Sequence, residues 1–415
     1  MTASIEPIQI DPHMRIRVLS DKDLELLHQA TLTVLKETGV RFPSKKALAV
    51  FADAGADVDV SAQVVKISPD LVMDALSKAP RSIRLGSRGD ESLDLVLDGS
   101  RCYCGTAGTG TVTVDPDTGR ERPSTKADTA MMARVADYLP SIGFYWPMVA
   151  PQDRPSELLP LHEMEASFLN TEKHVLTASC VDESSARAAL EMARAVAGSS
   201  ERMRSRPPLS AIISPISPLN NDAEALEAAL IFAEAGLPVG FAAMPVMGST
   251  GPAAIAGVLV LGNAEILSAV CLLQLAHPGA PVTYPLFSGV MNPYTGDCEV
   301  GTRNQYPFYA ATTQLGHFYN LPVMSSFSGS NLRDPGCWEV GKEDAVDAFY
   351  ICATGPDMLP CVGMLEAYTR LHPEKLIRDN DIIQSVQNMF RGVPVASETL
   401  NVAEIRSVGP GGHFL

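Results

Sequence analysis

The stretch MSSFSGSNLRDPGCWE, residues 324–339, begins as an apolar run and then, at Ser328, Gly329 and Ser330, presents almost no side chain before the polar Asn331 and Arg333. Seven other β-prone runs end comparably, at Gly105-Thr106-Ala107-Gly108, Tyr145-Trp146-Pro147, Ser179-Cys180, residues 214–218, residues 244–248 (with Met247 and Gly248), Phe287-Ser288-Gly289 and Met364-Leu365-Glu366. Small, hydroxylic, aromatic and thioether groups dominate these ends. Glu366 is the one carboxylate close to any of them, and none carries histidine. Enzymes that work by general acid–base catalysis put histidine or paired carboxylates at such positions. These ends suit a large, weakly polar reactant; taken singly, each can also be a tight-turn glycine or a core aromatic. GSTGPAAIAG, residues 248–257, opens a helical pattern whose start at Ser249 and Thr250 either holds an anion such as a carboxylate or simply caps the helix ahead of Pro252.

Metal chemistry by the chain itself is not expected. Eight cysteines without a CxxC pair and eight scattered histidines without HExxH give no ligand spacing, and the lone C-x-C of Cys102 and Cys104 reads as core. GTAGTG follows a strand but leads into a hairpin, so no phosphate signature emerges. A net charge of -16 argues against nucleic acid or an anionic membrane as partner. The N-terminal stretch lacks a signal peptide's apolar core, and the long apolar runs are broken by charge, Gly or Pro, so a cytoplasmic protein is expected.

The elements that must position these residues alternate. From Arg101 onward, β-prone runs (RCYCG, GFYWPMV, HVLTAS, PLSAIIS, LPVGFAAM, APVTYPLF, LPVMSSF, DMLPCVGM) are each followed by a helical pattern, over residues 126–138, 157–169, 183–197, 222–235, 252–276, 304–319, 339–354 and 375–390. Eight such pairs joined mostly by short turns predict an α/β fold, a TIM (β/α)8 barrel, whose C-terminal strand ends form the active face. TGTVTVDPDTGRERP predicts a β-hairpin on that face. Residues 1–100 show helix start and stop signals between short strands and are expected to form an N-terminal α+β cap. The barrel then spans 101–391, and 392–415 is a separate C-terminal segment.

LSDKDLELLHQATLTVLKETGV, LHEMEASFLNTEKHV, SPISPL, GSTGPAAIAGVLVLGNAEIL, HPGAPVTY, EKLIRDNDII and VGPGGHFL together resemble the trimethylamine methyltransferase family, including its non-pyrrolysine branch of glycine betaine methyltransferases. The resemblance runs from about Met14 and implies transfer of a methyl group from a methylated amine to the Co(I) of a cobalamin held by a separate corrinoid protein. Family members acting on trimethylamine carry pyrrolysine at the position matching Gly329. Its absence points to a quaternary amine, which already carries a neutral leaving group; alternatively Gly329 only supplies a backbone angle. The family's S-D-A-K-x-P-D-x-Q is replaced by SNLRDPGCW, which leaves the substrate open, and the chain stops where relatives continue.

The resemblance and the mouth residues assign Gly329, Asn331 and Glu366 to catalysis. Tyr145, Trp146, Phe287 and Phe327 are assigned to an aromatic box for the methylated nitrogen, and Arg333, Ser249 and Thr250 to a substrate carboxylate. Gly105, Gly108, Met247, Gly248, Ser328 and Ser330 are expected to admit the corrin. A quaternary amine such as glycine betaine, a corrinoid protein and a second copy of the chain are the expected partners; the alternatives are a betaine-binding or regulatory relative, or the same reaction on trimethylamine, carnitine or proline betaine. Gly329→Leu is expected to block the site and leave the fold intact.

Overall fold

Eight parallel strands close on themselves: β1 Arg101–Thr106, β2 Ile142–Tyr145, β3 His174–Thr177, β4 Leu209–Ile213, β5 Val239–Phe241, β6 Val282–Pro285, β7 Val323–Met324 and β8 Met358–Val362. Each pairs with its neighbour in sequence, and β8 returns to β1 through Met358↔Tyr103 and Leu359↔Cys104. The computed structural model describes residues 2–10, 14–327 and 329–414. The predicted (β/α)8 barrel is therefore the observed fold, with each of the eight strands overlapping its predicted run and the first two extending one residue beyond theirs.

The helices follow the strands: α1 Lys126–Tyr138, α2 Leu159–Asn170, α3 Glu183–Ala197, α4 Ala223–Ala235, α5 Ile255–Ala276, α6 Gln305–Phe318, α7 Trp338–Thr354 and α8 Pro373–Met389. Where local caps are strong the predicted bounds hold to the residue. Thr125 and Asp182 form capping boxes ahead of α1 and α3, and Gly198 ends α3 in the left-handed region. The start of α5 differs from the sequence reading. The helix begins at Ile255 rather than Pro252, and its N-cap, Ala254, makes no side-chain bond.

Two cores follow from strand alternation. Outward-facing residues such as Cys104, Val175 and Ile213 pack under the helices, whereas Tyr103, Phe144, Leu176, Ile212, Met324 and Met358 fill the barrel interior. A hairpin of Ile83–Leu85 and Leu95–Leu97 contributes four apolar side chains to that interior. It is tied to the N-terminal strand ends, since Gly86 N donates to Pro207 O (2.7 Å) and His174 Nδ1 lies 2.9 Å from Gly86 O. That end of the barrel is plugged, leaving the C-terminal end as its mouth.

Helices Asp21–Thr33, Lys45–Asp53 and Pro69–Lys78 pack against α5. By length and composition α5 is apolar enough to cross a membrane, but 72% of its most apolar stretch is buried inside the protein, as in a core helix. Asn263 on α5 anchors this packing: its Nδ2 donates to Thr31 Oγ1 and Tyr319 Oη, and Tyr284 Oη donates to its Oδ1, each at 2.9 Å. At the mouth the predicted hairpin, Val112–Val114 with Glu121–Pro123, joins Met364–Leu365 and Arg370–Leu371 in a four-stranded sheet.

Candidate active site at the barrel mouth

The upper interior is built from β2 and the loops after β3 and β6. Trp146 follows Phe144 by two residues and shares its inward face, and it, Ala178 and Phe287 each pack against the interior core. Its backbone is clamped, because Thr106 Oγ1 donates to Trp146 O (2.6 Å) and accepts from Trp146 N (2.8 Å). The indole Nε1–H is buried without a protein partner and lies over Gly108.

Alternation separates the four expected box residues. Tyr145, between two inward residues, faces outward, is fully buried and donates its hydroxyl to Thr129 O on α1 at 2.9 Å. Phe327 also turns away from the interior and lines a narrow cleft with Asp344 and Ala348 of α7 and Ile383 of α8. The structure packs Trp146 and Phe287 against the barrel interior and leaves Tyr145 and Phe327 in the wall.

Two of the three glycines expected to admit a corrin, Gly105 and Gly108, are already filled, and only Gly248 has open space beside it. A Cβ on Gly105 would overlap the Phe144 ring, its register partner on β2, and one on Gly108 would overlap the Trp146 indole. Met247 is buried and bridges Gly251 and Val290, while Gly248, Ser249 and Thr250 form an exposed turn in which Thr250 Oγ1 accepts from Val246 N at 2.9 Å. Because α5 starts only at Ile255, this turn is not a helix N-terminus and offers no dipole to a carboxylate. Ser328 lies outside the described residues. Ser330 is buried and donates to Glu343 Oε2 at 3.0 Å.

The loop after β7 is engaged with its neighbours. Asn331 Nδ2 donates to Val300 O (2.6 Å) and its Oδ1 accepts from Val300 N (3.3 Å). Arg333 pairs with Glu366, and Glu366 also pairs with Arg370 at 2.6 Å, so two guanidinium groups neutralise the one carboxylate expected to attract a cation. Arg370 pairs in turn with Glu121 of the hairpin. Gly329 adopts φ +75°, a left-handed conformation, and a Cβ there would lie 2.6 Å from Tyr368 Oη. The expectation that Gly329→Leu leaves the fold intact therefore fails on two counts, conformation and space.

Sequence reasoning missed Glu163, in the second turn of α2, although LHEMEASFLNTEKHV contains it. Its Oε2 accepts from Ser179 Oγ just past the end of β3 (2.6 Å), its Oε1 is buried without a partner, and burial pushes its carboxyl up to about 7. Around the mouth, Val181, Ile216, Met244, Tyr294 and Leu332, each from a different βα loop, are exposed large apolar side chains. Among the described residues no group of three or more His, Cys, Asp or Glu side chains is arranged to hold a metal ion.

Fold alone does not set the chemistry of a (β/α)8 barrel, but by sequence this chain is similar throughout to enzymes of the methyltransferase class. Residues 3–415 match the trimethylamine methyltransferase (MTTB) family, and the chain belongs to it. It is 33% identical to trimethylamine methyltransferase MttB of Desulfitobacterium hafniense (strain DSM 10664 / DCB-2) over 95% of this chain and 79% of that one. It is 30% identical to MttB of Methanosarcina thermophila over 97% and 84%, and 29% identical to the glycine betaine methyltransferase of Desulfitobacterium hafniense (strain Y51) over 97% and 83%. The crystal structure of Methanosarcina barkeri monomethylamine methyltransferase (MtmB) shares the fold, with a TM-score of 0.58 and 12% identity over 93% of this chain and 77% of that one.

Proposed function

We propose that this methyltransferase takes a methyl group from a quaternary amine, glycine betaine first among them, and passes it to the Co(I) of a corrinoid carried by a separate protein. The observation that carries the proposal is the clamped, inward-facing Trp146 which, like Phe287, packs against the interior of a barrel closed at its other end. Aromatic faces attract a desolvated quaternary ammonium electrostatically, by about 0.5 to 2 kcal/mol each. The relatives named for trimethylamine and for glycine betaine bracket the substrate. Gly329 favours the quaternary member: no large side chain is available there to activate a tertiary amine, and a quaternary nitrogen departs as a neutral amine without activation.

The small residues do not form a cradle for a corrin, since Gly105 and Gly108 are occupied from within. The exposed apolar ring of Ile216, Met244, Tyr294 and Leu332 instead suits a partner protein that covers the mouth and excludes water. The corrinoid, when so presented, supplies the Co(I) nucleophile. The chain's own part is to hold the ammonium against Trp146 and Phe287 with one methyl group directed outward, in a near-attack arrangement.

The test is methyl transfer to free cob(I)alamin from trimethylamine, glycine betaine, carnitine and proline betaine. Turnover with a quaternary amine and none with trimethylamine is expected; tight betaine binding without transfer to any acceptor would instead make the chain a binding protein. Trp146→Ala should weaken betaine binding by about 1 to 2 kcal/mol in calorimetry, and equal affinity would remove Trp146 from the site. Met244→Glu, on the rim, should slow transfer to the corrinoid protein about tenfold while leaving transfer to free cob(I)alamin within about twofold, because only the former requires docking. Equal slowing of both acceptors would count against a docking face.

A further inference from the structure

Gly329 looks like a gap in the sequence, but in the structure the space beside it belongs to Tyr368. Tyr368 Oη donates to Phe327 O at 2.5 Å, and the same carbonyl accepts from Ser326 Oγ at 2.6 Å. The ring stands where any side chain on Gly329 would project, with Oη 2.6 Å and Cζ 2.7 Å from the position of an added Cβ. Reaching this place requires three consecutive residues in the left-handed region: Glu366 (φ +49°), Ala367 (φ +50°) and Tyr368 (φ +68°). None is glycine, and such a run persists only where surrounding contacts over-determine it. The contacts are present: Ala367 N donates to Ser330 O (3.0 Å), Glu366 N to Leu332 O (3.3 Å), and Glu366 pairs with Arg333. On the other side, Gly301 approaches so closely that its own Cβ would lie 2.7 Å from Gly329 O.

We propose that Tyr368 is a positioning residue: it fills the space left by Gly329 and fastens the loop after β7 to the loop after β8, so that residues 329–333 form a fixed wall of the mouth. Gly329 and Tyr368 act as a pair, the absent side chain of one being the seat of the other. The consequence for turnover rests on reading the mouth as the methyl-transfer site; the fastening itself does not.

Four full-chain variants test this: Tyr368→Phe, Gly329→Ala, Tyr368→Ala and the double variant Gly329→Ala/Tyr368→Ala. Tyr368→Phe, which removes the hydroxyl and its bond to Phe327 O and keeps the ring, should raise amide hydrogen exchange at residues 329–333 about tenfold while exchange in β1 to β6 stays unchanged. With glycine betaine and free cob(I)alamin its KM should rise about tenfold and its kcat change less, a split that a general loss of stability would not give. Gly329→Ala should lower the melting temperature markedly in the wild-type background and by less than half as much in the Tyr368→Ala background, because the overlap is gone and only the backbone strain remains. Unaltered exchange in Tyr368→Phe, or an equal cost of Gly329→Ala in both backgrounds, would overturn the proposal whatever the activity. The expected exchange and melting results in a protein that transfers methyl from no amine would uphold the fastening and defeat the functional reading instead.

Discussion

Gly105→Ala should destabilise the barrel by about 3 kcal/mol, measured by chemical denaturation, and much of the loss should return in Gly105→Ala/Phe144→Leu. Gly105 is not among the residues with positive φ, so alanine meets no backbone objection there. The added methyl would fall inside the Phe144 ring, which is fully buried in the barrel interior and has no free space to retreat into. The experiment separates two readings of a small residue at a strand end. A glycine that makes room for a reactant loses activity and keeps its stability when substituted, whereas one that makes room for a neighbouring ring loses stability first. Unchanged stability with abolished methyl transfer would return Gly105 to the ligand.

That distinction also marks where the sequence stops being readable. The strands were legible because each barrel strand is an apolar run buried on both faces, as a parallel sheet requires, and the helices because their caps are local. Thr125, Asp182 and Gly198 act within a few residues of themselves, so their signal survives in one dimension. The site was only partly legible because its logic is non-local. Trp146 and Phe287 stand out in the sequence as aromatic, but whether Tyr145 or Trp146 turns inward depends on the parity of β2, and the β1–β2 register shifts between Ile142 and Phe144. The occupants of the spaces at Gly105 and Gly108 come from the adjacent strand, and that at Gly329 comes from Tyr368, whose left-handed backbone no sequence pattern announces. Glu366 stood out as a lone carboxylate, but its two arginine partners were hidden by the same non-locality.

Glu163→Gln should stabilise the protein at pH 8 by about 3 kcal/mol and make no difference near pH 4. The wild-type carboxyl is 2% exposed, has one oxygen bonded to Ser179 and the other without a partner, and receives no cation that would offset its burial. Burial raises its folded pKa from 4.5 to about 7. Between those values the folded protein holds a proton that the unfolded chain has released, so the stability present below pH 4.5 is lost as the pH rises through 7. The interval, at about 1.4 kcal/mol per pH unit, amounts to about 3 kcal/mol. Glutamine keeps an acceptor for Ser179 Oγ and cannot ionise, so its stability should be flat across this interval. Denaturation midpoints of both proteins from pH 4 to pH 8 should therefore coincide at the acid end and diverge above pH 5. Parallel profiles would mean that a partner reaches Oε1 and holds Glu163 ionised throughout. Because Ser179 lies two residues past the end of β3 at the mouth, next to the inward-facing Ala178, neutral and ionised Glu163 would hold the loop after that strand differently, and turnover should follow the same titration near pH 7.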